Sequence, residues 1–453
     1  MQDYQKTATG GFLYNAPIHE PKRLPLPHSS VKVRPMINAK PGALPSQSIK
    51  EMLKAGYIVG ASEQAIQPSS LDLTATDEIY RMRGSYLPRP GESINAIIAR
   101  GALYKASMDY PLERGGIYLI RLQETLKLPK EIHARVSNKS SSGRIDLRAR
   151  LLADGLARFD SIPHGYAGSL WMEVAPKSFP VRMHPGDHIN QIRFFTGHPG
   201  LNALEHRFLF DQHHLLRDRR GAPIAADDNI VQNGVTMTID LVGDPNAEDP
   251  VIGWRSHPGP WGVLDTARYD HNPMDFFEPI YRPQNGEITL VPGSFYILVT
   301  KEKIIVPPNM AVEMANYDPS KGEFRSHFAG FFDPGWGWRQ DDALRGDAAV
   351  LEVEAFGHEC IIHDGQPICL MTYERMLSVP ERLYGADMKS HYGGQEGPRL
   401  AKWFTAPTPA KRHDDQQRHF PTLSAHVTQQ PTSVPPASVI SSWDDDDNRM
   451  DLG

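Results

Sequence analysis

The spacing of apolar residues changes character early in the chain. Ser46 to Tyr57 (SQSIKEMLKAGY) places Ile49, Met52 and Leu53 on one helical face, with a serine available as N-cap and Gly56 near the stop, and so predicts one short helix. Beyond it the pattern turns to short alternating or apolar runs, among them LDLTATDEIYRM, GIYLIRL and SLWMEVAP, split by Gly and Pro. Such runs predict strands, and their succession predicts an all-β sandwich or barrel with a few short helices. Residues 1–40 hold Pro, Lys and His without apolar periodicity and read as an irregular arm. LEHRFLFDQHHLLRDRRG (204–221) fits a short helix or an extended connector, its arginines a solvated face. From residue 405 the chain is rich in Pro, Gln, Ser and Thr and ends SSWDDDDNRMDLG. That composition buries too little apolar area to offset its ordering entropy, so 405–453 is expected to be disordered, with the Asp444 to Asp447 run a solubilising end.

Compared with itself, the chain matches at an offset of 178 to 179 residues. Tyr118 falls on Tyr296, Pro129 on Pro307, Asn138 on Asn316, Glu173 on Glu352 and Gly186 on Gly365. Asp72 of SSLDL pairs less regularly, with Asp240 of VTMTIDL. Two homologous β-domains are expected, at 41–200 and 226–383, with 201–225 as linker.

A length of 453 residues suits two or three domains, and 39 Pro with 37 Gly argue against a mostly helical protein. The 48 basic and 54 acidic residues nearly balance, which excludes a general binder of nucleic acid or acidic membrane and requires a local basic cradle for any anionic ligand. Cys360 and Cys369 alone cannot form a disulfide framework or a Cys-x-x-Cys zinc site, and suit a reducing cytosol. No stretch approaches the roughly 18 apolar residues of a membrane span, so a soluble, cytoplasmic protein is expected.

Two segments carry candidate chemistry. NKSSSGRIDL brings Lys139, Ser140, Ser141 and Arg144 together just after a strand, where hydroxyls, backbone N–H groups, a point charge and a guanidinium fork can ring an anion; the bland alternative is a polar turn. In the second copy Asp318 and Pro319 stand where Ser140 and Ser141 stand, adding a negative charge and removing a donor. There, instead, AGFFDPGWGW (329–338) leads to AAVLEVEAF with Glu352. Apolar neighbours raise a carboxyl pKa towards neutrality, where a general base works best. The alternative is an outward glutamate, since Val-Leu-Glu-Val-Glu alternates and one of Glu352 and Glu354 should face solvent. His358, Cys360 and His363 in GHECIIH lack a fourth ligand and read as a structural strand and turn, so no zinc is expected.

These residues resemble the dCTP deaminase and dUTPase superfamily, and within it the dCTP deaminases, over most of 44–404. NKSSSGR is similar to the family's Gly-Arg-Ser-Ser-x-x-Arg phosphate loop, with Asn138 and Lys139 replacing Gly and Arg. AGFFDPGW is similar to the nucleoside-binding hairpin, which marks Ala329, Phe331, Asp333 and Trp336 as substrate contacts ahead of a catalytic glutamate. HPGDHINQIRF supplies Gln191, and YGADMKSHYGGQEGP resembles the closing segment (384–404), with Lys389, Tyr392, Gln395 and Gly397. The resemblance implies two tandem dUTPase-like distorted, jelly-roll-like barrels, and a site between copies that takes the phosphate loop from one and the hairpin from the other. It implies metal-independent deamination of dCTP to dUTP and ammonia for dTTP synthesis, with magnesium carried on the triphosphate. It further suggests dTTP as a feedback inhibitor and a homo-oligomer with sites at repeat interfaces. Repeat one keeps Arg158, Asp160 and Glu173, which leaves Glu173 as the rival base. The alternatives are a dUTP diphosphatase or an enzyme performing both reactions, although Asp160 and Tyr166 stand too far apart for the diphosphatase pattern, and a non-catalytic nucleotide sensor.

Overall fold

The computed structural model describes residues 40–315, 324–326, 330–339, 346–385 and 392–406. The expected arm up to residue 39, the turn at Asp318 and Pro319, Ala329, Lys389 and the tail from residue 407 lie outside them. The chain is mostly β, with short helices at Ser46–Lys54, Ile94–Gly101, Ser140–Gly143 and Ala203–His213 among the described residues. The first buries Ile49 and Met52 as its periodicity demands, and Gly56 follows it at φ 74°. Its cap differs from expectation: Pro45 is the N-cap, without a side-chain hydrogen bond, and Ser46 is already helical.

Two antiparallel sheets repeat one strand order. In the first half it runs Ala102–Lys105, Ala75–Met82, Ile117–Lys127, Ala167–Pro176, Leu147–Ala153. In the second it runs Phe277–Tyr281, Val251–Ser256, Phe295–Ile304, Asp347–Ala355, Phe324–Ser326. Hydrogen bonds repeat as well. The Tyr118 hydroxyl accepts from Glu113 N at 3.0 Å and the Tyr296 hydroxyl from Val291 N at 2.8 Å. Glu124 accepts from Thr74 N at 3.0 Å, and Glu302 from Thr238 N at 2.8 Å. This register aligns Thr74 with Thr238, and therefore Asp72 with Thr236. Consistently, Asp72 lies opposite Gln191 and Thr236 opposite Leu370. The expected pairing of Asp72 with Asp240 is thus displaced, because loops of different length break the offset there.

The halves share a core. Buried side chains of the first half join Trp254, Phe276, Phe277, Ile297 and Val350 of the second in one cluster, along with Leu400, Trp403 and Phe404. This packing explains a second departure. Glu352 and Glu354 are both buried, at 3% and 8% exposure; residues two apart share a strand face, so the expectation that one of them would face solvent fails. The first half reaches Glu354, which pairs with its Lys177. In the connector, Asn202 and Glu205 form a capping box that starts the helix Ala203–His213. Arg207 meets Asp211 and Asp228, while Arg219 reaches back to pair with Asp240, so the arginines are not simply a solvated face.

Residues 398–405 form a strap fastened across the second half. Trp403 Nε1 donates to Thr266 O at 2.9 Å, His271 N to Trp403 O at 3.1 Å and Thr405 N to His271 O at 2.9 Å. Trp403 is 3% exposed, so Trp403→Ala is expected to lower the unfolding free energy by about 3–5 kcal/mol, which urea denaturation would register. No described helix is long and apolar enough to cross a membrane.

Candidate active site

The strand Ile132–Asn138 ends in a side chain that locks it to its neighbour. Asn138 Nδ2 donates to Leu147 O at 2.8 Å, and Asn138 Oδ1 accepts from Ala149 N at 3.0 Å. The chain then turns through Ser140–Gly143, held by Ser142 Oγ, which donates to Lys139 O at 2.8 Å and Ile189 O at 2.5 Å. Lys139, Ser140 and Ser141 thereby line a cavity of about 480 Å³, with Gln191 beside them. Lys139 pairs there with Asp72, a carboxylate that Gln67 also contacts at 3.1 Å.

The opposite wall comes from the second half, where Phe331, Asp333 and Trp336 line the same cavity. Asp333 accepts from Ser69 N at 3.1 Å and Ser69 Oγ at 2.6 Å, which pins the hairpin to the first half. Burial pushes the Asp333 carboxyl up to about 6. Phe331 lies on the Arg193 guanidinium at 4.3 Å, and that arginine is paired with Glu374. Gly335, at φ 98°, turns the chain so that Trp336 packs 5.0 Å from both Phe332 and Tyr384. Gly330 abuts the serine turn so closely that a side chain there would meet Ser140 Oγ at 3.3 Å.

Glu352 does not itself line the cavity and lies against the serine turn. Its carboxylate covers Gly143, where an added Cβ would fall 2.2 Å from Glu352 Oε2. Among the described residues Glu352 Oε2 is buried without a hydrogen-bond partner, and burial holds the carboxyl well above the usual range, opposed by the Arg144 charge and reinforced by Asp146. Arg144 itself does not line the cavity. It is 3% exposed, donating to Gln395 Oε1 at 3.1 Å and Arg399 O at 2.8 Å, with its guanidinium 3.9 Å from the Tyr392 ring centroid. The Tyr392 hydroxyl meets Ser141 Oγ at 2.7 Å, and Gln395 Nε2 donates to Ala348 O at 2.6 Å. The closing segment therefore rests directly on the serine turn and the glutamate strand.

Glu173, the counterpart in the first half, is already occupied. It accepts from Ser85 Oγ at 2.8 Å, Tyr86 N at 3.3 Å and Arg148 at 3.4 Å. Asp160 accepts from Leu151 N at 2.6 Å and pairs with Arg150, and Arg158 is exposed; none of these three lines the cavity. Sequence reasoning missed Asp72 as a wall residue, and also Thr266, Tyr269, Lys402 and Trp403. Thr266 and Tyr269 carry no recognisable pattern, whereas a lysine flanked by buried apolar residues in LAKWF was a usable signal. Among the described residues no group of three or more His, Cys, Asp and Glu is arranged to hold a metal.

Both halves of the chain are similar to known proteins of one family. The family model of the 2'-deoxycytidine 5'-triphosphate deaminase N-terminal domain matches residues 40–198, and that of the C-terminal domain residues 211–404. The dUMP-forming dCTP deaminase of Methanobrevibacter smithii is 28% identical over 176 residues, 35% of this chain and 88% of that protein. The dUMP-forming dCTP deaminase of Methanosphaera stadtmanae is 30% identical over 163 residues, 34% of this chain and 78% of that protein. The crystal structure of 2'-deoxycytidine 5'-triphosphate deaminase from Agrobacterium tumefaciens aligns with a TM-score of 0.68 and 35% identity, over 75% of this chain and 99% of that one. With a relative of that identity matched along nearly its whole length, and with both domain models in order, the chain belongs to the dCTP deaminase family.

Proposed function

We propose that this chain hydrolyses dCTP to dUTP and ammonia, with Glu352 as general base. The observation that carries this reading is the buried Glu352 of the second half, its Oε2 without a hydrogen-bond partner among the described residues, lying against the same serine turn of the first half whose Ser140 and Ser141 line the cavity. A carboxyl with a raised pKa can take a proton from water and return it within one turnover. Water gives one proton to Glu352, which passes it to N3 of cytosine as the water oxygen bonds to C4; Glu352 then carries the second proton from that new hydroxyl to the amino nitrogen, and the C4–N bond breaks. The products are a C4 carbonyl and ammonia. Arg144 supports the negative charge of Glu352, and the hairpin with Asp333 and Trp336 holds sugar and base. Ser140, Ser141 and the closing segment take the triphosphate, which carries its magnesium as part of the substrate. The matching sheets and hydrogen bonds of the two halves support the further reading that both are dUTPase-like distorted barrels, duplicated and then specialised. In that reading the first half gave up its own base, for Glu173 is bonded to Ser85, Tyr86 and Arg148.

The test is product analysis after incubation with dCTP and magnesium. Equal amounts of ammonia and dUTP are expected. Several relatives are named dUMP-forming, so a second hydrolysis is the specific rival: dUMP and pyrophosphate beside the ammonia would extend the activity. Absence of turnover would overturn the proposal.

A further inference from the structure

The cavity has a charge imbalance for a triphosphate site. Three carboxylates line it, Asp72, Asp187 and Asp333, against two cationic side chains, Lys139 and Lys402. Lys139 is paired with Asp72, and Arg144 is buried, does not line the cavity and donates to Gln395 and Arg399. Lys402 makes no ion pair among the described residues. Its ammonium instead sits 5.8 Å from the Tyr269 ring centroid and 5.4 Å from that of Trp403. Burial and the nearby Lys139 charge lower its pKa, against the opposing pull of Asp187 and Asp72.

Its backbone is held from both sides. Lys402 N donates at 3.3 Å to the Tyr392 hydroxyl, which in turn meets Ser141 Oγ at 2.7 Å. On the other side Trp403 is fastened to Thr266 and His271. A strap fixed in this way holds the backbone of a lysine that lines the same cavity as Ser140 and Ser141, so binding an anion there requires little further backbone ordering.

We propose that Lys402 is a triphosphate-binding residue of this site, a point charge supplied by the strap opposite Ser140 and Ser141. This rests on the deaminase reading above for the identity of the nucleotide, but the phosphate contact stands on the geometry alone. A polyphosphate oxygen seated on the serine turn would give Lys402 a direct ion partner, and Lys402 would offset the repulsion of that oxygen by Asp72 and Asp187.

The experiment compares wild type, Lys402→Ala and Lys402→Arg in steady-state deamination and in calorimetric titration with magnesium tripolyphosphate. Lys402→Ala is expected to raise KM for dCTP and Kd for tripolyphosphate by roughly tenfold or more, the size of one charge-assisted contact, with kcat held within about threefold. Lys402→Arg should restore most of both, since the positive charge is kept. Unchanged KM and Kd in the alanine variant would overturn the proposal, as would a fall in kcat alone that arginine does not rescue. Calorimetry needs no turnover, so the two readings can fail separately. A wild type that binds tripolyphosphate through Lys402 but leaves dCTP intact would sink the deaminase reading and uphold the phosphate ligand, whereas a wild type that does not bind tripolyphosphate would sink the ligand.

Discussion

Glu352→Gln is expected to lower kcat for dCTP by a factor between about 10² and 10⁴ while leaving nucleotide affinity nearly unchanged. The amide keeps the shape of the side chain against Gly143 but has no site for a proton taken from water, so the chemical step loses its acceptor. Glu173→Gln should behave in the opposite way. An amide nitrogen replaces one oxygen of a carboxylate that accepts from Ser85 Oγ, Tyr86 N and Arg148, and each buried donor left unmatched costs about 1–3 kcal/mol. That variant should lose stability in urea and keep kcat within about threefold once folded. An ammonia-release assay on both proteins, paired with denaturation curves, separates catalysis from folding. The reverse ranking would move the base to the first half, and two active variants would end the general-base proposal.

How far the site was legible depended on how local each signal was. The serine turn, HPGDHINQIRF, the Asp333 hairpin and the closing segment are contiguous motifs, and their residues Ser140, Gln191, Phe331, Trp336 and Tyr392 come together around one cavity. The repeat was readable wherever strands kept their length, as Tyr118 and Tyr296 show by making the same hydrogen bond. It misled at Asp72, because the connections before the two strands differ in length and only the pairing of Asp72 with Gln191 and of Thr236 with Leu370 reveals the register. The expectation of a solvent-facing residue at Glu352 or Glu354 failed for another reason, since residues two apart share a strand face and both are buried. A two-residue period reports which side of a strand a residue takes but not whether a second sheet or a lysine such as Lys177 covers that side. Arg144 was visible as a cation near a hydroxyl turn, yet its direction was not. A single glycine, Gly143, lets the turn lie against the Glu352 strand, which places the guanidinium beside the base and under Tyr392 rather than in the open cavity. Asp160 and Arg158 were drawn in by resemblance alone and lie elsewhere, Asp160 bonded to Arg150.

Arg144→Ala should therefore act on kcat as well as on KM, and on the pH profile most tellingly. Burial drives the Glu352 pKa upward and the Arg144 charge pulls it back, with no hydrogen bond needed between them. Only the ionised carboxylate can accept the proton from water. Removing the cation leaves the upward push unopposed, so the acid limb of kcat/KM should move to higher pH and part of the lost rate should return as pH rises. The same deletion removes the donors to Gln395 Oε1 and Arg399 O and the cation beneath the Tyr392 ring, so the closing segment loses its principal fastening to the serine turn. Together these effects are expected to lower kcat/KM by about 10²- to 10³-fold at neutral pH, the combined size of a buried charged hydrogen bond and a weakened base. Arg144→Lys separates the two contributions. Its charge should hold the acid limb near the wild-type position, while its single ammonium cannot reach Gln395, Arg399 and the Tyr392 ring at once. Profiles of kcat/KM against pH for the three proteins decide the matter. An acid limb unmoved in the alanine variant, with a raised KM as the sole change, would return Arg144 to the phosphate and leave Glu352 without its electrostatic partner.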